Sequence, residues 1–391
     1  MVGFSTERTS TRARAVALGS LGVLVVGVLA AGGSAAQGAP HHPHLAAAKP
    51  PPGTAQATLS AVTAVPHSTD VWAIGGIGSV ANTHFFTAHR HAGHWKRIKA
   101  PKLRGRYGVI DAFGAASPKA VWLGGGIQVA GIQNLPSIWR WNGKSFAAVK
   151  LPKLANGAVD ISSISASSAT NAWAVGGIYP IASGGQAALH WNGKKWSAVT
   201  FPEGLDFEGL SVVSTSGPDN AWAVRTDGAL VHWDGKTWSV DGAAPAGAQL
   251  SSVATSSPKL AYATGSKQLP SGHSQTVIMR FNGKTWSTVK VAKSIDRVGL
   301  REVTMHGKSA WALGVHFTSR SSVPVILHTS GGAWHAQNSP GGRSYEMTSI
   351  SAASATRAYA AGFYFNFTTE QGRSYFDVFN GHRWNGASSK L

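Results

Sequence analysis

The chain has 391 residues, 47 of them Gly and 15 Trp, no Cys, and 35 Lys and Arg against 16 Asp and Glu, a formal net charge of +19. The missing Cys excludes structural disulfides, thiolate metal sites, a Cys nucleophile and a lipid-modified N-terminal cysteine. Only 13% of residues are charged and aromatics are plentiful, which excludes a disordered chain, while the basic balance makes acidic partners reasonable.

The chain opens with Arg8, Arg12 and Arg14, then an uncharged apolar run from Ala15 to Ala31, then the small residues Ser34-Ala35-Ala36. That is the order of a secretory signal: basic start, apolar middle, small-residue cleavage site. Residues 1–36 are therefore read as a signal peptide, whose removal leaves a net charge of +17. The apolar run is just long enough to span a membrane, so an uncleaved anchor is the alternative. No twin-arginine pair precedes it, which favours the general secretion route. Residues 37–56, with His41-His42-Pro43-His44 and Pro50-Pro51-Pro52, read as a stiff, solvated leader.

From residue 57 onward the chain repeats. An apolar-aromatic anchor recurs seven times, at Trp72, Trp122, Trp173, Trp222, Tyr262, Trp311 and Tyr359, with spacings of 50, 51, 49, 40, 49 and 48 residues. Ahead of each lies an apolar-x-x-apolar strand: Leu59/Val62, Ile110/Phe113, Ile161/Ile164, Leu210/Val213, Leu250/Val253, Leu300/Val303 and Met347/Ile350. Behind each comes a hairpin between aromatic positions, as in Trp141-Asn142-Gly143-Lys144-Ser145-Phe146 and Trp233-Asp234-Gly235-Lys236-Thr237-Trp238. Asn-Gly and Asp-Gly mark hairpins because both residues accept positive φ. All Trp residues but Trp139 fall on these repeated positions, so they read as core between neighbouring units.

Each unit supplies four short strands, and a 40–50-residue period of four strands is a β-propeller blade. The expected fold is all-β: a seven-bladed β-propeller with four antiparallel strands per blade over residues 57–391, each blade continuous in sequence. The anchor-plus-glycine phrase Trp72-Ala73-Ile74-Gly75-Gly76, repeated at Trp173–Gly177, resembles kelch repeats and the galactose-oxidase-type propeller. The hairpins Thr329–Trp334 and Trp233–Trp238 resemble degenerate Asp-box turns of sialidase-type propellers. The phrasing as a whole most resembles secreted propellers of high-GC Gram-positive bacteria. The galactose-oxidase likeness would imply copper beside a cysteine-crosslinked tyrosine, which a chain without Cys cannot build. No motif matches the three arginines and Tyr/Glu pair of sialidases. No metal or other cofactor is therefore expected.

The likeness places ligands on the face that carries the second-to-third strand loops and the blade-to-blade connections. On that face blade four is short, with almost no loop between Trp222 and Trp233, so the ring has one low wall. Arg225 stands where the other blades have Gly75, Gly125, Gly176, Gly265, Gly314 and Gly362. A guanidinium there can recognise a carboxylate or sulfate, or pair with Asp227 or Asp206. The longer loops around it offer His84, Tyr179, His273, His316, Arg320, Tyr364, Glu370 and Arg373. His, Tyr and Arg converging on a basic groove could abstract a proton from a uronate. Glu203, Asp206 and Glu208 form the densest acidic cluster, which could chelate calcium, supply a carboxylate acid/base pair, or be a plain acidic loop. The polar position of the first strand reads Ser60, Asp111, Ser162, Ser211, Ser251, Arg301 and Thr348, which suggests an ion pair between Asp111 and Arg301. Lys96, Arg97, Lys99, Lys102, Arg104 and Arg106 form a basic ridge that favours polyanions in a salt-dependent way.

The sequence thus reads as a secreted, monomeric binding propeller, its ligand an anionic polysaccharide or cell-envelope polymer, or a partner protein. The ligand-binding candidates are Arg225, Tyr179, His273, His316, Arg320, Tyr364 and Arg373. The alternative is a carbohydrate-active enzyme, a polysaccharide lyase or glycoside hydrolase, with its site near blade four. No nucleic-acid motif is present, and no membrane partner is expected after signal cleavage.

Overall fold

The computed structural model describes residues 57–77, 84–101, 107–129, 133–154, 158–179, 186–202, 205, 209–317, 322–340, 345–366 and 371–387. Blade one is β1 (Ala57–Ala64), β2 (Val71–Ile77), β3 (His84–His91) and β4 (His94–Ile98). Blade two is β5 (Tyr107–Ser117), β6 (Ala120–Val129), β7 (Gln133–Trp141) and β8 (Phe146–Ala148). Blade three is β9 (Ala158–Ser168), β10 (Asn171–Tyr179), β11 (Gln186–Trp191) and β12 (Trp196–Val199). Blade four is β13 (Leu210–Gly217), β14 (Asn220–Arg225), β15 (Ala229–Trp233) and β16 (Trp238–Ala243). Blade five is β17 (Ala248–Ser257), β18 (Leu260–Gln268), β19 (Ser274–Phe281) and β20 (Trp286–Thr288). Blade six is β21 (Val298–His306), β22 (Ser309–Phe317), β23 (Ser322–Thr329) and β24 (His335–Gln337). Blade seven is β25 (Glu346–Ser354), β26 (Arg357–Asn366), β27 (Gln371–Phe379) and β28 (Trp384–Gly386). Each forms one antiparallel sheet in sequence order, so the molecule is an all-β seven-bladed propeller built of continuous blades.

The second strand of each blade carries the anchor, and the anchor side chains are fully buried. Those of blades one to six reach into the hairpin of the following blade, while Tyr359 of blade seven stacks on Phe376 of its own blade. Trp72 meets Trp141 at 4.8 Å, Trp173 meets Trp233 and Trp238 at 5.0 Å each, and Trp222 meets Phe281 at 4.8 Å. Tyr262 meets Trp334 at 5.2 Å and Trp311 meets Phe379 at 5.6 Å. Edge-to-face geometry at these separations adds to the burial of area. Trp139, outside the repeat, is buried in the core between blades one and two, so it too is structural.

The hairpins repeat in atomic detail. The Oδ1 atoms of Asn142, Asn192, Asp234, Asn282 and Asn380 each accept two backbone N–H bonds from the residues two and three ahead. The glycine that follows has φ between 94° and 99°, the left-handed conformation that makes Gly the fitting residue there.

Neighbouring inner strands are joined by side-chain hydrogen bonds. Val213 N–H donates to Ser163 Oγ (3.2 Å), Thr255 N–H to Ser214 Oγ (3.0 Å) and Val303 N–H to Ser252 Oγ (3.1 Å). The same bonds close the ring, from Val62 N–H to Ser349 Oγ (3.2 Å) and Ala64 N–H to Ser351 Oγ (2.9 Å). Closure therefore rests on packing and this ladder rather than on a swapped strand.

Candidate functional site

The antiparallel order puts the second-to-third strand connections and the blade-to-blade connections on one face, here termed the mouth. Wall height around it is unequal. In blade four, β14 and β15 stop pairing at Val224 and Leu230. In blade five the matching strands run on through Gly265/Val277, Ser266/Thr276, Lys267/Gln275 and Gln268/Ser274. Four further pairs at ~3.3 Å per residue make a wall taller by ~13 Å. Blades two, six and seven are tall as well, pairing out to Val129/Gln133, Phe317/Ser322 and Asn366/Gln371. The mouth therefore has a notch at blade four.

Arg225 lies at the floor of the notch. Its Nη2 donates to Asp227 Oδ2 at 2.6 Å and its Nε to Asp227 Oδ1 at 3.2 Å, while Asp227 Oδ1 also accepts Ala229 N–H. The guanidinium is thus held by the turn that shortens the blade. Arg225 stands where other blades have Gly, opposite Leu210 at the start of β13, and the N–H of the next residue, Thr226, bonds the Gly209 carbonyl at 2.9 Å. In blade three, β9 starts at Ala158, well ahead of Ile161, and an added Cβ on Gly176 would strike the carbonyl of Asp160.

Around the rim, Tyr364 and Arg373 are cross-strand partners on β26 and β27, and Tyr364 packs against Tyr345 at 5.8 Å. His316 stands between Val298 and Val323 on blade six, and the carbonyl of His273 closes the tight turn after β18 by accepting Leu269 N–H (2.9 Å). Among the described residues, no hydrogen bond, ion pair or ring contact joins His273, His316 and Tyr364. The backbones of His84 and Tyr179 sit at the mouth ends of β3 and β10, their side chains outside the described residues. Arg320, Glu370, Glu203, Asp206 and Glu208 also lie outside the described residues, as do Lys102, Arg104 and Arg106. Lys96, Arg97 and Lys99 of the basic ridge are exposed, Arg97 lying over Phe86 at 5.0 Å.

The channel wall differs from expectation. Arg301 does not pair with Asp111: it lies across the ring and reaches Glu346 Oε1 at 3.4 Å instead. Asp111 is pushed up to about 7, by surrounding protein first and by the Asp160 charge second. Burial also raises Asp160, against the bond from Ile161 N–H, and its Oδ1 is buried without a partner. These two carboxyls mark the mouth side of blades two and three.

Sequence reasoning missed two further acids. Asp377 accepts Tyr375 Oη–H at 2.6 Å and Ser339 Oγ–H at 2.8 Å, and burial pushes it up to about 6. Glu302 takes the ladder position that Ser163, Ser252 and Ser349 fill elsewhere, its Oε2 accepting Ile350 N–H at 2.9 Å. Burial pushes Glu302 up to about 7, against the bonds from Ile350 and Ser349. A raised carboxyl pKa means that the folded chain holds the proton longer than the unfolded chain. Between the unfolded value, near 4.5, and about 7, this group therefore takes stability away as pH rises. Glu302→Gln keeps the carbonyl acceptor. It should gain on the order of 2 kcal/mol over the wild type at pH 8 and nothing at pH 4, read from urea midpoints. Parallel pH profiles for the two proteins would disprove the titration.

No protein-family model matches the chain, and no curated protein matches its sequence. Its fold is shared with solved structures. One described as YCF48 bound to D1 peptide is 14% identical, with a TM-score of 0.54 over 82% of this chain and 92% of that one. YCF48 from Cyanidioschyzon merolae is 12% identical, with a TM-score of 0.56 over 85% and 98%. The GH74 xyloglucanase from Xanthomonas campestris is 14% identical, with a TM-score of 0.53 over 83% of this chain and 55% of the enzyme. At these identities the likeness establishes the propeller.

Proposed function

We propose that this chain is a binding propeller that holds an extended segment of a partner protein across its mouth, entering over the low wall of blade four. The notch carries this reading, because an elongated ligand needs one open side and the neighbouring walls close the others. Leu135 on blade two and Phe317 on blade six, 50% and 46% exposed at the mouth ends of β7 and β22, offer apolar contacts two blades to either side of it. Arg225 spends its charge on Asp227, which turns the floor of the notch away from polyanions and towards a mixed polar and apolar peptide. The peptide-bound propeller among the solved structures lends the same reading support by shape. We take residues 1–36 to be a secretory signal, so the partner is met outside the cytoplasm. The kelch-like and Asp-box-like phrasing stays a likeness of sequence.

Peptide display against the full chain tests this at low salt and at about 1 M salt, where the Debye length is about 3 Å. Enrichment of a shared motif that survives high salt is expected. The anionic-polymer alternative rests on the ridge at Lys96, Arg97 and Lys99, and predicts binding that vanishes with salt. The carbohydrate-active alternative rests on Asp111 and Asp160, a carboxyl pair of raised pKa beside the mouth. Release of reducing sugar or of unsaturated uronate from a polysaccharide panel, with no peptide enriched, would put it in place of the binder.

A further inference from the structure

A second site lies on the opposite face, in blade one, and it is visible by comparing the blades. In blades three and four an Asn stands two residues before the anchor. Asn171 Oδ1 meets His190 Nε2 at 2.7 Å, while its Nδ2 donates to Ser167 Oγ (2.7 Å) and to Thr215 Oγ1 of the next blade (3.3 Å). Asn220 repeats this with His232 (2.8 Å), Ser216 (2.7 Å) and Thr255 (3.2 Å). In both, the imidazole lies against the anchor indole and the amide is fully used.

Blade one keeps the imidazole and changes everything around it. His89 stacks on Trp72 at 4.3 Å and 12°. Asp70, only 5% exposed, replaces the Asn, and the acceptors an amide would need are gone, since Pro66 and Ala115 occupy the matching places. The carboxylate instead faces two imidazoles. Asp70 Oδ1 is 2.8 Å from His91 Nδ1 and Oδ2 is 3.4 Å from His89 Nε2, which makes no hydrogen bond. Arg90 stands where Trp141, Trp191 and Trp233 begin the hairpins of the next three blades, so His91 takes the place of Asn142, Asn192 and Asp234. The tight turn at Ala92 and Gly93, both of positive φ, is specific to blade one and pairs His91 with His94. His89 and His91, two apart on one strand, share a face.

We infer that Asp70, His89 and His91 form a binding site for a divalent transition-metal ion of the zinc kind. The three ligand atoms lie within 4.8 Å of one another, and among the described residues no other such trio does. Around a tetrahedral ion with bonds of about 2.0–2.1 Å, ligand atoms stand about 3.3 Å apart, so the gaps already approach a chelating geometry. Two neutral imidazoles and one carboxylate suit zinc, nickel or copper rather than magnesium or calcium. The stack on Trp72 fixes His89 before the ion arrives, and the largely exposed His91 leaves an entry path and an open coordination position to water.

The test is titration of the full chain with zinc against a chromophoric chelator, and with cobalt by visible absorbance. His91→Ala removes an exposed side chain and should fold with an unchanged Tm, whereas Asp70→Asn leaves a buried amide without the acceptors of blades three and four and should lower Tm while keeping the fold, checked by circular dichroism. One equivalent of zinc is expected, bound at least about tenfold more weakly by Asp70→Asn and by His91→Ala. The triple variant His41→Ala, His42→Ala, His44→Ala should bind as the wild type does. Zinc affinity unaltered by Asp70→Asn and His91→Ala, or lost in the leader triple variant, would overturn the assignment.

Discussion

Trp173→Ala is expected to cost about 3–5 kcal/mol of folding stability. The indole is fully buried and contacts His190 at 4.6 Å on its own blade and Trp233 and Trp238 at 5.0 Å on the next. Deleting it removes apolar area from the core and leaves a cavity between two sheets that cannot collapse without tilting a blade. A blade has two faces to bury and no partner except its neighbours, so this loss acts on the ring and not on one unit. Trp95→Ala is the comparison, because Trp95 is half-buried against Phe376 at 5.1 Å and should cost clearly less. Urea denaturation of both variants measures the difference. A loss under about 1 kcal/mol at Trp173 would mean that the blades are not held by their anchors.

Gly176→Ala should cost about 3 kcal/mol, the upper range for an overpacked site. A Cβ there would overlap the carbonyl oxygen of Asp160 and lie 2.8 Å from its carbon, both backbone atoms fixed by the strand pair. Gly265 and Gly362 face the carbonyls of Gln249 and Glu346 in the same way, so the substitution should be as harmful there. Arg225→Gly is the inverse: it removes only the ion pair with the exposed Asp227 and should change stability less than Gly176→Ala does. Thermal unfolding of the four variants side by side checks the set. If Gly176→Ala melted with the wild type, the bulged inner pair would be slack and the blade-four exception without meaning.

The ring was legible because its signals are local and repeated. Anchor, hairpin and inner strand each depend on residues near in sequence, and seven copies reinforce one another. What lies across the ring was not legible. The period places Asp111 and Arg301 at equal depth, yet blades two and six stand three steps apart around the ring, and Arg301 finds Glu346 on the adjacent blade. Glu302 escaped notice because it sits one residue past the polar position being compared, where the neighbouring blades have small hydroxyls. The trio in blade one joins an inter-strand turn, a third strand and a hairpin, and only the pairing of β2 with β3 brings them together. Wall height was readable from loop length, and Arg225 did meet Asp227, one of its two named acids. The rim residues are the opposite case: their loops follow no repeat, so no period relates His273 to His316 or Tyr364.

The central functional claim is that a partner segment crosses the mouth over blade four. The most direct measurement replaces Arg225–Ala229 with a copy of Gly265–Val277, which raises the low wall to the height of blade five, and compares the affinity of a display-selected peptide for the two chains. The account predicts at least about a tenfold loss of binding with the Tm preserved, about 1.4 kcal/mol of binding free energy. Unchanged affinity for the walled variant would contradict it and place the ligand elsewhere on the ring.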